Sequence, residues 1–371
     1  MKQTKTIIAG VSRTLLGLVF IFSGAVKAID PFGTMYKIED YLKAFGGFFT
    51  ELLPLADVAA VVLILLEVVL GVCMLLNVRT RWTSWLALVF YAVMTPLTLY
   101  IAINNPVSDC GCFGDALVLT NWQTFGKNVV LIILAIVLVI LRKSVVPLWR
   151  GYMEVIIGFV AAAMTFAFME YTYRHLPVVD FRPYKIGNHL PTLMEYPEDA
   201  EPDQYEISFV YAQDGVEQTF TLENYPKGDS TWTFVRQESK LIKKGYEPPI
   251  HDLEIMNAYY EDITWDILES EEPVTLVVMY DLVKADTKQM AKVEALIGDE
   301  AMRQESDEAR VYILTGSGTD EIMAFCMDYP TLGDYICTCD PVTLKTIVRA
   351  NPGVIVVQNG VVIDKYNIRN R

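Results

Sequence analysis

The stretch LADVAAVVLILLEVVLGVCMLL, residues 55–76, decides the fold because only Asp57 and Glu67 in it are charged. A helix needs about 20 mostly apolar residues to cross a bilayer. This stretch therefore predicts a transmembrane helix, and four other stretches have the same character. The five predicted spans are Ile7–Ala28, Leu55–Leu76, Trp82–Ile103, Thr124–Leu141 and Trp149–Tyr171.

Charge divides the 371-residue chain into two unlike parts. Residues 1–175 carry a net charge of +3, whereas residues 176–371 carry −18. The hydrophobic content of 53% is too high for an ordinary soluble protein. We therefore expect a membrane bundle followed by an acidic, water-soluble unit. The acidity of that unit argues against nucleic acid as a partner.

Basic residues near the spans predict the orientation, because Lys and Arg favour the cytoplasmic side. They precede the first span, lie between the second and third, and lie between the fourth and fifth; they are Lys2, Lys5, Arg79, Arg81, Arg142, Lys143 and Arg150. The first apolar run is too long for a signal peptide core, so it is read as an uncleaved helix. In a bacterial inner membrane, the N-terminus would be cytoplasmic and everything after Tyr171 periplasmic.

A C-x-C pair, Cys110 and Cys112, occupies the loop between the third and fourth spans. On the oxidising side of a membrane, two such cysteines can form a small, strained disulfide, which acts as an oxidant. Such a pair at the membrane surface suits electron transfer between a soluble thiol protein and a lipid-dissolved quinone. Alternatively, the two are packed thiols or a bridge that only fixes the loop. The three histidines are scattered and predict no metal site.

Glu67 lies near the middle of the second span, where a charged side chain is costly and normally faces the bundle interior. Counting depth along the helices places it level with Tyr91 and within about one turn of Arg13. These three residues form a predicted polar layer, which is either a proton or quinone site or a satisfied structural cluster. Lys27 and Asp30 are predicted at the bundle mouth, as a local ion pair or headgroup anchor.

Three segments resemble the MauE/DoxX group of redox-associated membrane proteins: FSGAVKAIDPFG (22–33), LLEVVLGVCMLL (65–76) and DCGCFGDALVLTNWQTFGKNVVLI (109–132). The resemblance covers about residues 6–143. It implies a four-helix membrane bundle that acts with thioredoxin-like partners in disulfide chemistry outside the cytoplasm. By match of motif, Cys110 and Cys112 are its thiol pair. The fifth span and the acidic unit extend beyond the usual MauE unit.

The acidic unit alternates strands and helices after a β-hairpin at residues 205–222, which predicts an α/β fold. Residues 231–255 predict a further strand pair. The order resembles the thioredoxin fold with a leading hairpin, over about residues 185–371, and implies that Pro352 is its cis-proline. Thioredoxins carry C-x-x-C after the first core strand, but this chain has MYDLVKAD, residues 279–286. Cys337 and Cys339 are a possible second thiol pair, or core thiols.

The sequence thus predicts three parts: a MauE/DoxX-like four-helix membrane domain (1–145), a fifth span with a linker (146–184), and a thioredoxin-like extracytoplasmic domain without C-x-x-C (185–371). The preferred hypothesis is a membrane-bound thiol–disulfide relay that serves extracytoplasmic thiol or thioredoxin-like proteins, with a quinone as candidate acceptor. The alternative is a non-catalytic membrane scaffold whose thioredoxin-like domain binds partner proteins.

Overall fold

The computed structural model describes residues 2–107, 110–146, 148–149, 151–202, 204–213, 215–229, 231–243, 245–303 and 310–371. Five of its helices are long and apolar enough to cross a membrane, at the five predicted places. They are α1 (Lys2–Ile29), α3 (Ala56–Leu75), α4 (Thr80–Asn104), α5 (Asn121–Leu141) and α6 (Tyr152–Arg174). The prediction of five spans is confirmed.

The bundle core lies between α1, α3, α4 and α5. Its fully buried apolar side chains include Leu16, Phe20, Met74 and Leu138. Helices α1 and α3 approach so closely at Gly71 that a Cβ atom there would lie 2.8 Å from the backbone nitrogen of Ile21. Small residues at such contacts let membrane helices pack backbone to backbone. Helix α6 packs beside α1 and α3 and leaves most of its surface exposed.

A sixth helix, α2 (Pro31–Phe45), lies between the first two spans, where the sequence analysis predicts no element. Asp30 caps its N-terminus by accepting a hydrogen bond from the Gly33 N–H, and Pro31 occupies the first helical turn. Both features favour helix initiation. A 3₁₀ segment, residues 47–55, then leads into α3.

The C-terminal region, residues 176–371, contains a five-stranded mixed sheet in the order β6-β5-β4-β7-β8. Its strands are β4 (Val274–Val278), β5 (Val311–Thr315), β6 (Ile336–Thr338), β7 (Gly353–Gln358) and β8 (Val361–Asn367). The first three are parallel, and β7 and β8 are antiparallel to their neighbours. The helices of this region are α7 (Leu190–Met194), α8 (Thr264–Leu268), α9 (Met290–Arg303), α10 (Thr319–Asp328) and α11 (Pro341–Ile347). An α/β domain is therefore confirmed.

A separate three-stranded antiparallel sheet, β2-β1-β3, contains the predicted hairpin. Its strands are β1 (Gln204–Gln213), β2 (Val216–Thr221) and β3 (Thr233–Lys243). Asp214, at the turn of the hairpin predicted for residues 205–222, is outside the described residues. The further strand pair predicted for residues 231–255 is wrong: β3 pairs with β1, and no strand occurs in the described residues 245–255. Pro248 and Pro249 lie there, and proline lacks the N–H that a ladder needs.

The C-terminal region packs on the end of the bundle that carries α2. Arg349 forms an ion pair with Asp30, with its Nε 2.9 Å from the carboxylate. The Tyr36 hydroxyl on α2 lies 3.2 Å from the Tyr280 hydroxyl, just after β4. These contacts place the α/β domain directly over the loop that holds the C-x-C pair.

Candidate functional site

Cys110 and Cys112 lie in the CxC loop, which we define as residues 105–120, between α4 and α5. Both carry free thiols, and their Sγ atoms are 3.0 Å apart. A disulfide bond measures about 2.05 Å, so the sulfurs are close but not bonded. Gly111 between them has φ +63°, a conformation that favours glycine. The backbone thus brings two neighbouring thiols into mutual contact.

Hydrogen bonds from two helices hold the CxC loop in place. The Tyr41 hydroxyl on α2 donates to the Cys110 carbonyl at 2.7 Å, and the Ser23 hydroxyl on α1 donates to the Cys112 carbonyl at 2.8 Å. The side chain of Lys37 covers Gly111 so closely that a Cβ atom there would lie 3.0 Å from it. The cysteine pair is therefore positioned by α1 and α2 together.

The two thiols are electrostatically unequal. The hydrogen bond between the two thiols lowers the pKa of Cys112, and the nearby cations Lys127 and Lys27 lower it further against the opposing effect of burial. The same hydrogen bond, together with burial, raises the pKa of Cys110. Because the thiolate is the nucleophile in disulfide exchange, Cys112 is the sulfur prepared for attack.

The predicted polar layer of Arg13, Glu67 and Tyr91 needs correction. The partner of Glu67 is Lys27, whose Nζ lies 2.8 Å from both carboxylate oxygens and 2.7 Å from the Ser23 hydroxyl. Arg13 instead donates to the carbonyls of Met74 and Leu75. Those carbonyls belong to the last turn of α3, where no residue one turn further along the helix can donate to them. The Met74 carbonyl also accepts from the Asn77 N–H. The guanidinium therefore caps a helix end and stays away from the carboxylate.

The predicted role of Lys27 and Asp30, a local ion pair or a headgroup anchor at the bundle mouth, is wrong. The Lys27 side chain is 5% exposed and pairs with Glu67, whereas Asp30 reaches the α/β domain through Arg349. Arg349 also approaches Asp115 of the CxC loop at 3.5 Å. Sequence reasoning missed Arg349, whose ion pair with Asp30 joins segments about 300 residues apart.

A cavity of about 180 Å³, here called the bundle cavity, adjoins the cysteine pair on the membrane side. Its walls are largely apolar, with contributions from Phe20, Leu63 and Met94. The polar residues on its walls include both cysteines, Tyr91 and the Lys27–Glu67 pair. Tyr91 and Glu67 thus share one cavity, although Arg13 does not reach it.

A second space, the interface cleft, lies between the bundle end and the C-terminal region. Its volume is about 480 Å³, and its walls come from α2, the CxC loop and α11. Lys27, Thr34, Lys37 and Gly111 line both spaces. The C-x-C segment therefore lies between a largely apolar cavity on one side and, on the other, a cleft whose walls include charged side chains such as Asp30 and Arg349.

Cys337 and Cys339 lie in a different environment, at the end of β6. Both are buried in the apolar core of the α/β domain and carry free thiols. Burial raises the pKa of Cys337 to about 11 and that of Cys339 to about 12. Their thiolates are disfavoured at neutral pH, which suits packing better than exchange.

The face of the α/β domain that carries Tyr280 and Pro352 lies against the bundle. The Asn351–Pro352 peptide bond is cis. Pro352 and Tyr280 line a small pocket together with Phe32 of α2 and Tyr173 of α6. Phe32 and Tyr173 stack with ring centroids 4.6 Å apart. This face is therefore in contact with the membrane half of its own chain.

Comparisons with known proteins agree with this division of the chain. Residues 5–141 match the family model described as methylamine utilisation protein MauE. The match covers α2 to α5 and nearly all of α1, so this part of the chain is of the MauE type, as the sequence resemblance predicts. Residues 205–244 match a domain of unknown function, DUF8463, which coincides with the three-stranded sheet. Curated proteins and solved structures gave no match.

Proposed function

We propose that this MauE-type membrane protein is a thiol–disulfide relay whose working pair is Cys110 and Cys112. The observation that carries the proposal is the 3.0 Å approach of their sulfurs in a loop fixed by two helices. The electrostatic asymmetry of the pair supports it, because exchange needs one sulfur as a thiolate and the other as its bonding partner.

The exchange between the relay disulfide and two thiols of a partner needs no further oxidant or reductant. A partner's thiolate attacks one sulfur of the Cys110–Cys112 disulfide, which breaks that bond and releases the other sulfur as a thiolate. A second partner thiol then loses its proton, attacks the mixed disulfide and leaves as part of a partner disulfide. The relay pair has gained two electrons and the partner has lost two. The reverse sequence passes electrons the other way.

The relay operates on the extracytoplasmic face of a bacterial inner membrane in this proposal. The distribution of Lys and Arg around the spans supports that orientation. The partner class is a soluble thiol or thioredoxin-like protein, and the interface cleft reaches Gly111 from the side that such a partner would approach.

In this proposal the C-terminal region is a thioredoxin-like domain that positions partners and carries no electrons itself. Its strand order, in which β4 is parallel to β5 and antiparallel to β7, supports the resemblance. The buried state of Cys337 and Cys339 supports a non-redox role. The same observation favours the rival function, a scaffold in which neither cysteine pair exchanges.

Trapping of mixed disulfides distinguishes the relay from the scaffold. We expect a Cys110→Ser variant, expressed in its native membrane, to retain partner proteins through Cys112 as bands that disappear on reduction. A Cys326→Ser variant is the matched control because Cys326 is half-buried on α10, in the C-terminal region. If Cys110→Ser captures nothing and the double variant Cys110→Ser/Cys112→Ser leaves the cellular phenotype intact, the scaffold is the correct function.

A further inference from the structure

The bundle cavity has the size and position of a binding site for one aromatic ring. Its volume of about 180 Å³ is below the roughly 300–1,000 Å³ of drug-sized sites. An apolar protein cavity of about 150 Å³ is known to bind benzene. The space therefore fits a single six-membered ring better than an extended ligand.

A few polar side chains lie among the apolar residues that line the bundle cavity. The Lys127 ammonium, 4.2 Å from the centroid of the Phe113 ring, belongs to one wall. Asn128 and Tyr91 add further hydrogen-bonding groups. A lipid acyl chain could use none of these donors, whereas a ring that bears carbonyl oxygens could use them.

The cavity wall formed by α3 and α4 is only partly buried. Leu63 on α3 and Met94 and Leu97 on α4 are half-buried and line the cavity. Their neighbours Val62 and Val93, with 55% and 63% of their surfaces exposed, point away from the bundle. A ligand dissolved in the hydrocarbon layer thus has a short route to the cysteines.

We infer that the bundle cavity binds a quinone, which exchanges two electrons with Cys110 and Cys112. This inference rests on the proposed relay and names its membrane-side substrate. In the oxidising direction, the Cys110 S–H bond breaks and a Cys110–Cys112 bond forms from the thiol and the Cys112 thiolate. The quinone takes up two electrons, the proton from Cys110 and one proton from water, and leaves as a quinol.

The charges beside the cavity suit this reaction. Lys127 lines one wall, so positive charge lies where the reduced ring gains electron density. Lys27 also lines the cavity, but Glu67 compensates its charge and its three ammonium hydrogens are engaged by Ser23 and Glu67. Lys127 is therefore the donor to a quinone oxygen.

The test uses the full chain, reduced and held in lipid nanodiscs without oxygen, with decylubiquinone as the probe. Quinone reduction is followed by absorbance, and the cysteines are counted by maleimide labelling. Met94→Trp and Leu63→Trp fill the cavity from two different helices. We expect each to slow oxidation by decylubiquinone at least tenfold, while oxidation by a soluble disulfide keeps its rate.

Val93→Trp and Val62→Trp are the matched controls, because they add the same ring on the lipid-facing side of the same helices. We expect both to behave as the unsubstituted protein. If the cavity-filling variants react with decylubiquinone as fast as their controls, or if the unsubstituted protein does not react with it, the quinone site is wrong. If the soluble disulfide also fails to oxidise the unsubstituted protein, the proposed relay itself is wrong.

Discussion

The buried ion pair between Lys27 and Glu67 gives a quantitative prediction. The two side chains are 5% and 3% exposed, and the ammonium uses all its donors on Glu67 and Ser23. Removing one partner leaves an uncompensated charge in an apolar bundle, which costs about 3–5 kcal/mol. Replacing both partners by apolar residues of similar size is often neutral or stabilising by about 1–4 kcal/mol.

We therefore expect Lys27→Met and Glu67→Met each to destabilise the protein by about 3–5 kcal/mol. The double variant should be more stable than either single variant. The measurement is reversible unfolding of the full chain in mixed detergent micelles, followed by tryptophan fluorescence. The control is the exposed pair of Glu39 and Lys43 on α2, 3.7 Å apart, whose loss should cost at most about 1 kcal/mol.

One result would contradict this prediction. If the double variant loses as much stability as the two single variants combined, the two charges do not compensate each other. Lys27 would then be stabilised by groups other than Glu67, and the corrected polar layer would be wrong.

Three further outcomes are expected. Because the hydrogen bond between the two thiols lowers the pKa of Cys112, Cys112 should be alkylated faster at pH 6.5 in Cys110→Ser, which keeps a hydrogen-bond donor, than in Cys110→Ala; equal rates would contradict this cause. Arg349→Leu should increase the rate of limited proteolysis between the two halves several-fold, and Asp30→Asn should do so less, whereas unchanged cleavage would mean that their ion pair does not hold the halves together. Cys337→Ala should leave relay activity intact in the thiol-labelling assay and lower stability by about 1–3 kcal/mol; loss of relay activity would make that thiol part of the relay.

The sequence was sufficient for the spans because a bilayer imposes one rule on every crossing segment. It was sufficient for the α/β region because strands and helices alternate there. Helix α2 could also have been found, since Asp30 followed by Pro31 is a helix-start signal. Apolar runs alone do not reveal this helix, because its sequence mixes apolar and charged residues.

The pairing of charges could not be obtained from sequence in the same way. Depth along a helix places Arg13 near Glu67, but it does not say towards which neighbour a long side chain turns. Arg13 turns to the carbonyls of the last turn of α3, and Lys27 turns inward to the carboxylate. The contact between Asp30 and Arg349 is beyond any local pattern, because it exists only once the two halves have docked.

The most direct test of the proposed relay is the redox state of Cys110 and Cys112 in intact membranes. Membranes are treated with a disulfide or a dithiol, quenched with acid, and labelled with a maleimide that adds mass for each free thiol. We expect two labels on this pair after reduction and none after oxidation, and we expect the two states to interconvert reversibly. Two labels under every condition would show that these sulfurs never form a bond, and the relay would be excluded.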